Sequence, residues 1–233
     1  MSKKDDLRIQ RDKTVINKVS KGQEKVLGAA ITSVQKKLKR TFPGIKLYHQ
    51  PRMILKEVIS DLEKAFPEVD FKCYHKTSSM KPDGGILSII SKDGQSTHPI
   101  LIAEKKNQGT NDLRKKEGKK KQAMGNAIER LGKNVIGFRT ALLAESIFPF
   151  VCFGDGCDFA DDSSIIERVV TIAMFGHLNK EYVHALGGDR FNRGSFYFRE
   201  RVWTEKEMGQ LCYSIAEKAV FYYFSKYGKE SFI

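Results

Sequence analysis

Pro82-Asp83-Gly84-Gly85-Ile86-Leu87-Ser88-Ile89-Ile90-Ser91-Lys92-Asp93-Gly94-Gln95-Ser96-Thr97-His98-Pro99-Ile100-Leu101-Ile102-Ala103-Glu104-Lys105-Lys106 carries two short apolar runs, Ile86–Ile90 and 99–103, around one Asp-Gly pair. Asp-Gly between such runs is the strongest local signal for a β-hairpin. With Asp93-Gly94 as a two-residue turn, Lys92 faces Gln95 and Ser91 faces Ser96. Carried to its open end, the ladder sets Asp83 opposite Glu104. Directly opposed residues have Cβ atoms about 4.5–5.5 Å apart. Lys106 points to the same face as Glu104, and Lys105 to the other. A bulge would break this register, and Pro99 and Gly84-Gly85 are the places for one.

Two carboxylates at that separation repel each other unless a cation lies between them. A hard divalent ion such as Mg²⁺ resolves the repulsion, since it takes few protein carboxylates and keeps room for water and a substrate phosphate. A lysine beside it is placed to stabilise charge on that phosphate or on a hydroxide nucleophile. Asp followed by Glu-x-Lys at a strand end is thus a constellation for metal-assisted phosphodiester hydrolysis. The spacing alone equally fits an Asx-type turn at Asp83 and a strand-end ion pair between Glu104 and Lys106.

Outward from the hairpin, apolar residues recur at helical spacing over 23–40 (Val26, Leu27, Ala30, Ile31, Val34, Leu38) and 53–66 (Ile54, Val58, Ile59, Leu62, Phe66). Each run ends against a proline, Pro43 and Pro67. Residues 69–76 alternate as a strand does. A helix is predicted over 126–146, a strand over 147–153, a helix over 164–175 and a long helix over 205–226. The last starts at Thr204, with Glu207 at the capping-box position. Helices before, between and after a few apolar strands predict an α/β fold, a mixed central β-sheet flanked by helices.

The chain has 233 residues, with 41 Lys+Arg against 28 Asp+Glu, a net charge of +13, and 4 cysteines. That length suits one large domain, predicted at 22–233, preceded by a basic arm at 1–21. The charge points to a polyanionic partner, most often nucleic acid. No apolar run reaches the roughly 20 residues of a membrane helix, and the N-terminus lacks the apolar core of a signal peptide. A soluble, intracellular protein is expected. The scattered cysteines match no zinc or disulfide framework and read as buried thiols.

Three blocks of text carry more. Residues Ser78-Ser79-Met80-Lys81-Pro82-Asp83-Gly84-Gly85 are followed by Ile102-Ala103-Glu104-Lys105-Lys106-Asn107-Gln108-Gly109. Then come Gly125-Asn126-Ala127-Ile128-Glu129-Arg130 and Lys133-Asn134. In this order and spacing they resemble the EcoRI-like type II restriction endonucleases of the PD-(D/E)xK nuclease superfamily, over residues 77–151. The resemblance implies a restriction-endonuclease-like core and a homodimeric, Mg²⁺-dependent enzyme that cuts both strands of double-stranded DNA at a short palindrome. It implies metal binding by Asp83 and Glu104, and catalysis by these two with Lys106. Base recognition falls on Asn126, Ala127 and Arg130, and coupling of recognition to cleavage on Glu129. An AATT core follows, with GAATTC the best single site. Gln122 stands where the family has methionine and joins the recognition candidates, which leaves the outer base pair open. Gln108, Lys81, Arg190 and Arg193 are second-tier DNA contacts. A cytoplasmic, prokaryotic setting and a companion DNA methyltransferase are implied by the resemblance alone.

Elementary chemistry runs beside this. Asn126 and Arg130, four apart, share a helix face. Asn can bond adenine, Arg can reach guanine or bridge bases, and an alanine methyl can touch thymine. Asn126 with Glu129 also reads as a plain capping box. The run 114–121 supplies Lys115, Lys116, Lys119, Lys120 and Lys121 to track the phosphate backbone. Phe221, Tyr222, Tyr223 and Phe224 read as helix packing, and the five histidines receive no role. Two other functions fit the same residues: a structure-specific repair or recombination nuclease on this core, and a DNA-binding protein that does not cut.

Overall fold

The structure, a computed structural model, describes residues 16–107, 118, 120, 125–156, 159, 164–171, 177–184 and 193–233. Its centre is a mixed five-stranded sheet. The strands, in spatial order, are β1 (Lys46–Gln50), β4 (Ile86–Ile90), β5 (Thr97–Asn107), β6 (Phe150–Asp155) and β7 (Ser195–Arg199). β4 runs antiparallel to both β1 and β5, and β5, β6 and β7 run parallel. A two-stranded pair, β2 (Met53–Ile54) and β3 (Ser79–Met80), lies apart.

Alternation along the strands sends apolar side chains to both faces, and each face has its own core. On one, Leu87, Leu101, Ala103, Val151 and Phe153 pack against helices α1 (Ile16–Thr41) and α5 (Glu205–Tyr227). On the other, Ile86, Ile102, Phe150 and Phe196 meet Leu131, Val135 and Phe138 of α3 (Gly125–Ala141) and Val169 of α4 (Ser164–Thr171). Helix α2 (Leu55–Ala65) adds Val58 to that second layer. The result is the expected α/β arrangement, helix on sheet on helix. Helix α5 starts at the foreseen capping box, with Glu207 N–H donating to Thr204 Oγ1 and Thr204 N–H donating back to Glu207. No helix among the described residues is long and apolar enough to cross a membrane.

Several expectations need correction. Helix α1 begins at Ile16, inside the stretch 1–21 expected as an arm; residues 1–15 lie outside the described ones. Residues 69–76 form no strand: Val69 and Tyr74 are exposed. The sheet edge beside β4 is taken by β1, whose largely polar, exposed residues gave no apolar signal. Cys73 is only half-buried, while Cys152 and Cys212 are buried as expected; Cys157 lies outside the described residues. Phe221 is exposed, unlike Tyr223 and Phe224.

The hairpin departs from its ideal twice. The turn closes through Gly94 N–H to Ser91 O (2.9 Å), so Lys92 and Asp93 sit at its centre. Gly94 takes the left-handed φ of +76°. The Asp93 carboxylate holds the loop, accepting from Ser91 Oγ (2.6 Å) and Gln95 N–H (3.0 Å). Ile90 pairs with Thr97 and Ser88 with Pro99 as expected, but then Leu87 pairs with Leu101. Ile100 is the extra residue of a β-bulge beside Pro99, whose missing N–H cannot serve the ladder. Ile100 and Leu101 consequently bury in one core. Beyond the bulge the register has slipped by one as far as Ile86 with Ile102. Past it Ala103 N–H donates to Gly85 O (3.3 Å) and Gly84 N–H to Ala103 O (2.8 Å), and Asp83 comes to lie beside both Glu104 and Lys105.

Candidate active site

Asp83 sits in a tight turn closed by Gly85 N–H to Pro82 O (3.1 Å) and tied to β5 by Gly84 N–H to Ala103 O (2.8 Å). A Cβ on Gly84 would lie 2.8 Å from Leu27 Cδ2 and 2.9 Å from Ala103 Cβ. Only glycine lets the loop settle so closely on α1. His49 Nε2 donates to Gly84 O at 2.9 Å, which gives β1 a part in the site that the sequence did not suggest.

From this turn Asp83 makes a reciprocal exchange with β5. The Asp83 amide N–H donates to Glu104 Oε2 (3.1 Å), and the Lys105 amide N–H donates to Asp83 Oδ2 (3.2 Å). The Asp83 carboxylate therefore reaches across to β5 rather than making a local Asx turn. Lys106 Nζ bonds Glu104 Oε1 and lies 3.5 Å from Asp83 Oδ2. The three side chains predicted to work together do converge. Glu104 is nearly sealed, with its side chain 1% exposed, while Asp83 at 30% opens to solvent.

Burial pushes the Glu104 carboxyl above its usual range, and the Asp83 charge adds to the rise, against the pull of Lys106. For Lys106, burial works to lower the pKa. Glu104 and Asp83 outweigh it, so the ammonium is held above its ordinary value. Lys106 thus stands where charge balance demands a cation. Among the described residues no cluster of three or more His, Cys, Asp or Glu surrounds it. Two converging carboxylates, one buried and one open, are a donor set that fits Mg²⁺, which takes one or two carboxylates and keeps its waters.

A fourth residue joins them. Asn134 Nδ2, on α3, donates to Glu104 Oε1 at 3.1 Å. It received no role from the sequence, although it continues the four-residue spacing of Asn126 and Arg130 along one helix face. The face of β5 that carries Glu104 is the face on which α3 packs.

Similarity to known proteins bears on the chain as a whole. A family model described as Restriction endonuclease EcoRI matches residues 10–182. The chain belongs to the EcoRI restriction endonuclease family. The type II restriction enzyme RsrI of Cereibacter sphaeroides is 29% identical over 219 residues, covering 79% of this chain and 78% of that one. The type II restriction enzyme EcoRI of Escherichia coli is 29% identical over 157 residues, covering 64% and 56% respectively. EcoRI-family membership makes this chain a type II restriction endonuclease, a site-specific deoxyribonuclease.

The other EcoRI-like candidates are more dispersed. Lys81 is exposed two residues before Asp83, Arg130 is exposed on α3, Lys120 is exposed and Arg193 is half-buried. Helix α3 starts at Gly125, so Asn126 lies one residue inside it rather than capping it. The side chains of Asn126, Ala127 and Glu129 lie outside the described residues, as do Gln108, Lys115, Lys116, Lys119, Lys121, Gln122 and Arg190.

Proposed function

We propose that this enzyme is a homodimer that makes a Mg²⁺-dependent double-strand cut at a short palindromic DNA site with an AATT core, GAATTC being the favoured sequence. The observation that carries the cleavage chemistry is the convergence of Asp83 and Glu104 on the Lys106 ammonium. Asp83 and Glu104 would hold the metal ion. When bound, the ion supplies positive charge against the scissile phosphate.

The chain's own groups do the rest. Glu104, fixed by Asn134 and the Asp83 amide, keeps one carboxylate rigid while Asp83 meets solvent and DNA. Lys106, held as an ammonium, stabilises negative charge on the attacking water as it loses its proton and on the phosphoryl oxygens. In-line attack expels the 3′ oxygen and leaves 5′-phosphate and 3′-hydroxyl ends. Arg130, with Asn126 and Ala127 on the same helix, reads the central bases, with Gln122 towards the outer pair. Glu129 couples reading to cutting. Lys81, Gln108, Arg190, Arg193 and the lysines at 115, 116, 119, 120 and 121 contact DNA around the site. A palindrome read twice calls for a two-fold pair, and a cytoplasmic prokaryotic host would guard its own DNA with a methyltransferase.

The test is digestion of a fully sequenced plasmid with Mg²⁺, with an EDTA control, followed by end sequencing. Discrete fragments sharing one palindrome are expected. Nicks at structured regions would point to a repair nuclease, and tight binding without cutting to a DNA-binding protein. Glu104→Gln should bind DNA and fail to cut; turnover equal to the parent would remove Glu104 from the catalytic centre.

A further inference from the structure

We infer that Lys105 and Asp155, an ion pair buried behind the catalytic strand, position the Asp83 carboxylate from the opposite face of the sheet. The inference rests on the proposed role of Asp83 and adds two residues to it.

Lys105 is the residue between Glu104 and Lys106, and its side chain points away from them into the α1 and α5 layer. There Lys105 Nζ bonds Asp155 Oδ2, with side chains 4% and 0% exposed. Asp155 is itself fixed, since Trp203 N–H donates to the same oxygen at 3.2 Å. Trp203 Nε1 donates to Gly154 O at 2.9 Å, and the Arg199 guanidinium lies 3.4 Å above the indole ring. Gly154 of β6 and Arg199 of β7 therefore hold Trp203, Trp203 holds Asp155, and Asp155 holds Lys105. The last link is Lys105's own backbone: its N–H is the donor that the Asp83 carboxylate accepts, at 3.2 Å. The turn at Pro82–Gly85, tied to β5 through Gly84 N–H and Ala103 O, brings the Asp83 side chain within reach of that N–H.

Stability gives no reason for an ion pair at this place. On the same sheet face the neighbouring residues Leu101, Ala103, Val151 and Phe153 are apolar core. Replacing a buried ion pair with apolar residues of like size is often neutral or stabilising. What an apolar pair lacks is direction. A lysine clamped at its tip to a fixed carboxylate restrains the rotation of its peptide plane, and that plane aims the N–H at Asp83. Lys105 and Asp155 touch neither DNA nor reacting atoms; they are positioning residues.

The experiment compares the full-length parent with Lys105→Met/Asp155→Leu, and with Lys105→Gln/Asp155→Asn should the first fail to fold. Four quantities are read: thermal midpoint, Mn²⁺ affinity by titration calorimetry, amide exchange of the peptide spanning 81–86 without metal, and single-turnover cleavage. A midpoint close to the parent's is expected, with Mn²⁺ bound about fivefold or more weakly, exchange faster by about tenfold and cleavage slower by about tenfold. DNA affinity without metal stays the same. A variant that recovers the parent's midpoint, exchange, Mn²⁺ affinity and cleavage together would overturn the inference, leaving the pair as core filling. A parent that neither binds Mn²⁺ nor cuts would instead defeat the nuclease reading of Asp83. The exchange measurement, free of metal and DNA, would still decide whether the pair holds the Asp83 loop.

Discussion

Asn134→Ala removes a donor 3.1 Å from Glu104 Oε1. Among the described residues three groups hold that carboxylate: Asn134 and Lys106 on Oε1, and the Asp83 amide on Oε2. With its side chain 1% exposed, Glu104 has little access to water as a replacement. A hydrogen bond to a charged acceptor contributes about 1.5–3 kcal/mol, and each 1.36 kcal/mol corresponds to about a factor of ten. Lys106 stays on the same oxygen and recovers part of the loss, so a fall of about tenfold in single-turnover cleavage is expected. The pH profile should move as well. Burial and the Asp83 charge already raise the Glu104 pKa, and losing a donor that favours the ionised form raises it further. The acid limb of the rate profile then shifts to higher pH. The assay is single-turnover cutting of a duplex bearing the site, from mildly acid to alkaline pH, with binding measured separately without metal. A rate within about twofold of the parent and an unmoved limb would refute the reasoning. Weaker binding to every sequence alike would make Asn134 a phosphate contact instead.

Gly85 has a φ of +74°, and a Cβ there would lie 2.7 Å from Gln50 O. Gly85→Ala should destabilise by about 2–4 kcal/mol through strain and overpacking, with cutting lost; a denaturant midpoint equal to the parent's would count against it. In the metal-free protein the raised Glu104 pKa contributes stability that is present below the usual glutamate range and is lost as pH rises through the raised value. Glu104→Gln should flatten that part of the stability curve in urea melts with EDTA, and a curve parallel to the parent's would show that Glu104 is not its source. Arg130→Ala should weaken preference for the site by about 1–3 kcal/mol at the bases it reads; an equal loss on all sequences would make it a phosphate contact.

The hairpin and the face shared by Glu104 and Lys106 were legible because Asp-Gly and strand alternation are local signals. The bulge was foreseen as an option at Pro99, but its consequence was not. Only the packing of Ile100 and Leu101 into one core selects the slipped register, and that core includes Leu27 and Ile215, far away in sequence. Alternation misled at 69–76 because a period of two describes a strand only where an edge is free to pair with it. Strand β1 won the edge despite carrying Lys46, His49 and Gln50, since an edge strand need bury little. The contact of Asn134 with Glu104 and that of Asp155 with Lys105 were not legible for a similar reason. Each residue acts across a packing contact between elements, and no spacing rule connects position 134 or 155 to the hairpin.

Lys106 offers a sharper separation between holding the site and running its chemistry. In this arrangement its ammonium bonds Glu104 and lies 3.5 Å from Asp83 Oδ2, so it already balances the charge that a divalent ion would balance. Ion and ammonium therefore compete for the same carboxylates, and they repel each other at close range. Lys106→Met removes the competitor, and Mn²⁺ should bind at least as tightly as to the parent. Glu104 and Asp83 remain, each still accepting the other strand's amide, so the ligands keep their places. Cleavage should nevertheless fall by about 10²–10³-fold, the usual loss when a preorganised charge stabiliser is taken from a transition state. Calorimetry with Mn²⁺ and single-turnover cutting at saturating Mg²⁺ read the two effects independently. Weaker Mn²⁺ binding would mean that Lys106 serves to hold the carboxylates in place, and cutting restored by raising Mg²⁺ would then place its whole contribution in metal binding.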